Sequence, residues 1–168
     1  MRSHAEKVAY TASLIAVAMM LSYLETLIPY LPIPGFKPGL ANIATMVAFF
    51  YLGLPSAVTV SLFRIALSSL LFASPVSLVF SLSGGLLSLG VLALYNALLK
   101  NKIGLIGLGV LSSVSHCVGQ SIAASVLYGP SLLFTYLPLL ILLAIPTGIL
   151  TGTLTYGIIS RLKKSRIQ

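Results

Sequence analysis

Acidic residues are almost missing from this chain: its 168 residues include no aspartate, and Glu6 and Glu25 are its two glutamates. Sites for hard metal ions are built from clustered oxygen ligands, and this chain has few to offer. Cys117 is the single cysteine, which excludes an intramolecular disulfide and a cysteine-clustered metal site. A Walker phosphate loop is also missing, so any ATP-driven activity must use the ATPase of another protein.

Hydrophobic residues are abundant instead: they make up 58% of the chain, against 7% charged residues. Several apolar runs are long enough to cross a bilayer core of about 30 Å. The net charge of +8 would suggest nucleic-acid binding in a soluble protein. Here the basic residues flank apolar runs, which favours a membrane protein that binds no nucleic acid. These flanking residues are Arg2, Lys7, Lys100, Lys102, Arg161, Lys163, Lys164 and Arg166.

The apolar runs predict an all-α integral membrane protein with one six-helix transmembrane domain over residues 1–168. We expect spans at about residues 8–28, 39–52, 55–72, 76–99, 103–127 and 131–159. No clear cleavage site follows the first run, so we expect it to stay as a helix. Small residues four apart predict close helix packing. These pairs are Ala12 and Ala16, Ser81 and Gly85, Gly84 and Ser88, and Gly148 and Gly152.

Six crossings place both termini on one side of the membrane, and the basic residues predict that this side is the cytoplasm. Both termini are therefore expected in the cytoplasm, with the chain crossing a cell membrane several times. Residues 22–42, SYLETLIPYLPIPGFKPGLAN, then fall at the outer face. This segment combines Glu25, Lys37 and Asn42 with four prolines, and ionisable groups beside apolar helices usually mark a functional site.

Arg64 lies near the middle of the third predicted span. An arginine at that depth costs roughly 2.5 to 3.5 kcal/mol on insertion scales, so it needs a partner. One interpretation is a structural ion pair or a clamp on backbone carbonyls. The other is recognition of an anionic ligand, because the guanidinium is a planar donor that stays charged.

The fifth predicted span contains His116 and Gln120 in the sequence HCVGQ. Their spacing of four places both on one face of a helix. They form either an interhelical hydrogen-bond partner or part of a ligand site. Metal binding is disfavoured, because the other histidine, His4, lies in the amino-terminal tail.

These polar residues can converge in the outer half of the bundle. The predicted substrate-binding residues are Glu25, Lys37, Asn42, Arg64, His116 and Gln120, and we expect no metal and no cofactor. The proline-rich segment would cover this pocket as a lid, and Tyr23 and Phe36 could supply apolar walls.

The sequence resembles the Gx transporter family, also labelled heptaprenyl diphosphate synthase component I. The resemblance rests on SYLE, PIPGFKPGLAN, Arg64, SLSGG and HCVGQ, and it covers essentially the whole chain. That family in turn resembles the substrate-binding S components of energy-coupling factor transporters. The resemblance implies a six-helix bundle in a prokaryotic cell membrane that captures a small molecule outside the cell and docks on a transmembrane coupling subunit and two ATPases. It also implies that Ala12 and Ala16, or Ala5 and Ala9 before them, touch the coupling subunit.

Three functions remain open from the sequence. The first is a substrate-binding subunit for uptake of a small anionic or amphipathic molecule. The second is a non-catalytic membrane component that assists polyprenyl diphosphate or quinone metabolism. An independent synthase is excluded, because such enzymes hold magnesium with aspartate clusters and this chain has no aspartate. The third, a proton-coupled carrier that uses Glu25 and His116, is disfavoured because the sequence shows no internal repeat.

Overall fold

The structure is a computed structural model that describes residues 3–27, 39–72, 74–99 and 102–164. This part of the chain forms six α-helices and no strand. A π-helical turn, Tyr95–Leu99, continues the fourth helix. The helices are α1 His4–Leu27, α2 Asn42–Leu52, α3 Leu54–Leu71, α4 Pro75–Leu94, α5 Leu105–Tyr128 and α6 Ser131–Lys164.

Local sequence signals explain where two of the helices begin. At the start of α1, the backbone N–H of Glu6 donates to Ser3 Oγ and the backbone N–H of Ser3 donates to Glu6 Oε2, each at 3.2 Å. This pair is a capping box, which provides acceptors for backbone donors that a helix start leaves open. At α4, Ser74 Oγ accepts from the backbone N–H of Ser77 at 3.3 Å. Pro75 follows at the first helical position, where its missing N–H costs nothing.

The first two helices are antiparallel. The backbone N–H of Ala41 contacts Glu25 at one end of the pair, and the rings of Tyr10 and Tyr51 are 5.3 Å apart at the other. Gly53, with a φ of 98° that suits glycine, turns the chain from α2 into α3. We call the end where α1 finishes and α2 begins the Gly39 end, and the opposite end the Gly53 end.

The helix α2 is the centre of the bundle. Every residue from Asn42 to Phe49 is buried, and α2 packs against α1, α3, α5 and α6. Its 11 residues extend about 16 Å, roughly half of a bilayer core. The predicted span at 39–52 is therefore too short to cross a membrane as a helix by itself.

The other five helices are long and apolar enough to cross a membrane, by length and composition. They cover the predicted spans to within a few residues, except that α1 begins at His4 and α6 continues to Lys164. Large apolar side chains such as Met20 (68% exposed) and Leu70 (82% exposed) cover their outer surfaces. Such a surface suits lipid rather than water. The chain is a multi-pass membrane protein, and its count of six crossings remains a prediction.

Glycines bring α4, α5 and α6 into backbone contact. A methyl group added at Gly119 would lie 2.5 Å from the carbonyl oxygen of Ser83, and one added at Gly152 would lie 2.6 Å from Cα of Ile106. Helices pack this closely in membranes when small residues line the contact. In contrast, Ala12 and Ala16 are exposed on the surface of α1 and make no such contact with the described helices.

Basic side chains collect at the Gly53 end of the described bundle. The exposed residues there are Lys7 at the start of α1, Lys102 before α5, and Arg161 and Lys164 near the end of α6. This distribution agrees with the predicted topology. Which side of the membrane the Gly53 end faces stays a prediction.

Candidate functional site

Three helices contribute to a buried polar contact around Arg64. The Arg64 guanidinium is 2% exposed, and the Glu25 carboxylate, fully buried on α1, interacts with it electrostatically. Arg64 Nη2 donates to Asn42 Oδ1 on α2 at 3.5 Å. A buried charge needs both an opposite charge and hydrogen bonds. The partner that Arg64 was predicted to need is therefore Glu25, and Asn42 lies beside the pair.

The contact continues from Asn42 to α5 across Gly39. A methyl group added at Gly39 would lie 3.1 Å from Asn42 Nδ2 and 3.7 Å from Cδ2 of the His116 ring. Gly39 has a φ of 85°, which other residues rarely adopt. One turn further along α5, Gln120 Nε2 lies 3.2 Å from His116 Nε2. Five of the six predicted site residues therefore belong to one connected cluster, which we call the polar cluster: Glu25, Asn42, Arg64, His116 and Gln120.

Glu25 also holds the start of α2 in place. The residue before α2, Ala41, has no side chain that could cap the helix, and its backbone N–H donates to Glu25 Oε1 at 3.3 Å. A carboxylate at a helix amino terminus is favoured by the open N–H groups and by the helix dipole. Glu25 thus has two structural tasks: it neutralises Arg64 and fixes the helix start that carries Asn42.

The backbone of α4 forms the floor beneath His116. A methyl group at Gly84 would lie 2.8 Å from both Cε1 and Nδ1 of the His116 ring. The ring therefore lies directly against α4, and a side chain at position 84 would displace it. Below it, Ser88 and Ser112 share a hydrogen bond of 2.7 Å that joins α4 to α5.

The contact between Gln120 Nε2 and His116 Nε2 bears on the charge state of the ring. With the Gln120 amide nitrogen as the donor, His116 Nε2 accepts and the imidazole is neutral. In this arrangement Glu25 and Arg64 are the charged members among the described residues of the polar cluster, and their charges are opposite.

Several polar atoms of the cluster lack hydrogen-bond partners among the described residues: Arg64 Nε, Asn42 Nδ2 and Gln120 Oε1. All three side chains are at most 3% exposed. Three buried hydroxyl groups at nearby positions of the sequence also lack a hydrogen-bond partner among the described residues, namely those of Ser69, Ser81 and Ser113. Buried polar atoms are nearly always satisfied in folded proteins, so open ones indicate places for a ligand or for water.

The remaining predicted residues lie elsewhere. Lys37 and Phe36 fall outside the described residues. Ala12 and Ala16 lie on the exposed surface of α1, with Ala12 about 20 Å along the helix from Glu25. Tyr23 does not line the polar cluster: it is 48% exposed and contacts the ring of Phe72 at 5.4 Å. With Met19, Met20, Leu24 and Phe72 it forms an apolar groove of about 400 Å³ on the outside of α1.

Two contributors were not predicted as part of the site: Gly39, which separates Asn42 from His116, and Gly84, which supports the His116 ring. Both occur in quoted sequence runs, PIPGFKPGLAN and SLSGG. Their glycines were the available signal, because glycine permits close approach of backbone to a functional side chain. A metal site is not indicated, since the described residues contain no group of three histidine, cysteine or acidic side chains close enough to bind one.

The helices and the polar cluster together define the class: a multi-pass membrane protein with a charged pair and hydrogen-bonding groups enclosed between its helices. The sequence profile of one family, described as heptaprenyl diphosphate synthase component I, matches residues 14–158. The chain therefore belongs to the heptaprenyl diphosphate synthase component I family. The matched range contains the whole polar cluster. No curated protein and no solved structure matches the chain.

Proposed function

We propose that this chain is the substrate-binding membrane subunit of an uptake system for a small anionic or amphipathic molecule. The observation that carries the proposal is the open Nε of Arg64, buried in a cluster that joins α1, α2, α3 and α5. If Arg64 only held helices together, its donors would be satisfied within the protein. An open donor on a buried cation is instead suited to a carboxylate or phosphate.

Uptake would be driven by partner proteins: a transmembrane coupling subunit and two ATPases. The chain has no Walker phosphate loop, so it cannot supply this energy itself. The exposed surface of α1 around Ala12 and Ala16 is the proposed docking face, because small residues allow another helix to approach closely. The Gly39 end, with Glu25 and Asn42, would face outward and receive the ligand, under a lid that includes Lys37.

The proposal is tested by purifying the protein from its native membrane and identifying the small molecules and proteins that accompany it by mass spectrometry. We expect one small compound with an acidic group, together with a coupling subunit and ATPases. Replacing Arg64 or Lys37 should remove the compound while the protein stays folded. A compound that persists unchanged in both variants would contradict recognition of an anionic group.

The family description favours a second candidate. A non-catalytic membrane component that assists polyprenyl diphosphate or quinone metabolism would fit the words of that description. Catalysis by this chain is disfavoured, because Glu6 and Glu25 are separated by about 28 Å along α1 and cannot share a magnesium ion. A stable complex with a prenyltransferase subunit, and no interaction with a coupling subunit, would select this candidate over uptake.

A further inference from the structure

The open atoms of the polar cluster include both hydrogen-bond donors and an acceptor, and this combination indicates which groups a ligand should carry. Arg64 Nε and Asn42 Nδ2 are donors without partners among the described residues. They belong to two side chains that are already joined by the contact between Arg64 Nη2 and Asn42 Oδ1. Two neighbouring donors, one of them charged, match an oxyanion such as a carboxylate or a phosphate.

Gln120 presents an open acceptor, so it requires a donor group from the ligand. Its Nε2 is engaged with His116 at 3.2 Å, and its Oε1 is an open acceptor among the described residues. Gln120 is 3% exposed, so water from the surface does not satisfy this oxygen freely. A ligand that fills the cluster should therefore present an N–H or O–H group to Gln120 Oε1.

The net charge of the polar cluster indicates that the ligand's donor group is cationic. Glu25 and Arg64 carry opposite charges, and with Gln120 Nε2 as the donor to His116 Nε2 the imidazole is neutral. Binding of a simple anion would leave one negative charge uncompensated within the described part of the cluster, and an unpaired buried charge is costly. A ligand with its own cationic group brings no net charge into the bundle.

We infer that the ligand is zwitterionic: an oxyanion contacts Arg64 and Asn42, and a protonated nitrogen contacts Gln120. This inference rests on the proposed function and narrows its anionic or amphipathic molecule to one with no net charge. Glu25 then acts as a positioning residue, which holds Arg64 and the start of α2 rather than the ligand's amine.

The test uses the full-length protein in lipid nanodiscs with isotope-labelled arginine. The Nε–H resonance of Arg64, assigned with Arg64→Lys, reports an oxyanion at this edge, and that of Arg161 serves as the control. The probes are glycine, β-alanine and γ-aminobutyrate, with acetate, propionate and butyrate as matched acids without the amine. At least one amino acid should shift the Arg64 resonance at a concentration about tenfold lower than its matched acid. The acid binds more weakly because it leaves the buried Gln120 Oε1 without a hydrogen-bond donor.

The variant Gln120→Leu should abolish this preference while leaving the response to the acids. The inference is overturned if the acids bind as tightly as the amino acids, or if no amino acid shifts the resonance. It is also overturned if Lys37→Gln abolishes binding of the acids, because Lys37 would then supply the positive charge that we assign to the ligand. A native compound with a net negative charge would overturn the inference and leave the proposed function standing. A protein that carries no small compound from its native membrane would contradict the proposed function itself.

Discussion

Arg64 is the residue on which the functional account depends. An arginine within a membrane-spanning helix is tolerated when its charge is paired, and α1 supplies that pair through Glu25. The same carboxylate accepts the backbone N–H of Ala41, so one side chain links three helices. A structural role for Glu25 is therefore compatible with the proposed binding role of Arg64, whose Nε is open among the described residues.

The first prediction concerns Glu25. In Glu25→Gln, the amide can still accept from Ala41, but Arg64 loses its opposite charge inside the bundle. Loss of one partner of a buried pair costs about 3 kcal/mol, so the midpoint of thermal unfolding should fall clearly. The matched control is Glu6→Gln, because Glu6 is exposed and a glutamine preserves the capping box. Equal midpoints in the two variants would show that Glu25 is not the charge partner of Arg64.

The second prediction concerns Gly84, on which the His116 ring rests. A methyl group in Gly84→Ala would lie 2.8 Å from the ring and from the carbonyl oxygen of residue 116, so the ring must move. We expect a loss of about 1–3 kcal/mol in stability, and a weaker affinity for the co-purified compound. In Gly90→Ala, on the same helix, the added methyl meets no described atom within 4 Å, and both properties should be retained. An unchanged affinity in Gly84→Ala would show that His116 is not part of the binding site.

Part of the site could be predicted from the sequence because the rule involved is local. Isolated polar residues in apolar spans are visible in the sequence, and the spacing of His116 and Gln120 places them on one face of any helix. The bond from Ala41 to Glu25 could not be predicted, because it depends on how α1 and α2 meet in space. The same holds for Gly39, whose place between Asn42 and His116 follows from the packing of α2 against α5.

Among the helices, α2 has the surroundings that are hardest to predict from the sequence. Its apolar residues surround it on all sides, which is the pattern of a fully buried helix. Hydrophobicity reports that a segment avoids water but not whether lipid or protein surrounds it, so the burial of this short helix among other helices could not be predicted, and its crossing of the membrane stays a prediction. The π-helical turn Tyr95–Leu99 was likewise not visible in the sequence. Both its first residue, Tyr95, and Phe49 of α2 are buried, and their rings are 6.1 Å apart.

Small residues were informative where they face another helix. Gly84 and Gly152 lie at backbone contacts, as their spacing predicts. Ala12 and Ala16 have the same spacing and are exposed. Spacing identifies a possible contact face, but the identity of the partner depends on the tertiary structure or on another protein.

The third prediction tests the contact between α5 and α6. A methyl group in Gly152→Ala would lie 2.6 Å from Cα of Ile106 and 2.8 Å from the carbonyl oxygen of Leu105. Backbone atoms cannot rotate away, so the two helices must separate, and we expect a loss of about 1–3 kcal/mol measured by thermal unfolding in detergent. Gly157→Ala is the control, since its added methyl has no described atom within 4 Å. Equal stability of the two variants would contradict the close packing of α5 against α6.

For the molecule as a whole, one surface remains to be explained. The helix α1 is the least buried of the five candidate spans, and most of its length is exposed on the surface of the described bundle. It nevertheless carries Glu25, so its inner face belongs to the site while its outer face is available to lipid or a partner. This arrangement would allow a docked protein to contact the same helix that holds the polar cluster.

The fourth prediction separates docking from binding. Tryptophans in Ala12→Trp and Ala16→Trp should prevent close approach of a partner helix, so a coupling subunit should no longer co-purify. The amount of bound compound should stay at the wild-type level, because both alanines are exposed and distant from the cluster. Ala66→Trp, at an exposed position of α3, is the control and should retain the partner. Partner binding that survives both α1 variants would place the docking face elsewhere.

Replacement of Arg64 by lysine distinguishes an arginine that binds the ligand from one that only holds helices together. The amount of co-purified compound per mole of protein is determined for Arg64→Lys and for Arg161→Lys, an exposed arginine near the end of α6. Lysine preserves the charge that pairs with Glu25 but lacks Nε and the planar guanidinium fork. We expect Arg64→Lys to stay folded and to lose most of the compound, while Arg161→Lys keeps it. Equal amounts of compound in the two folded variants would show that Arg64 does not bind the ligand.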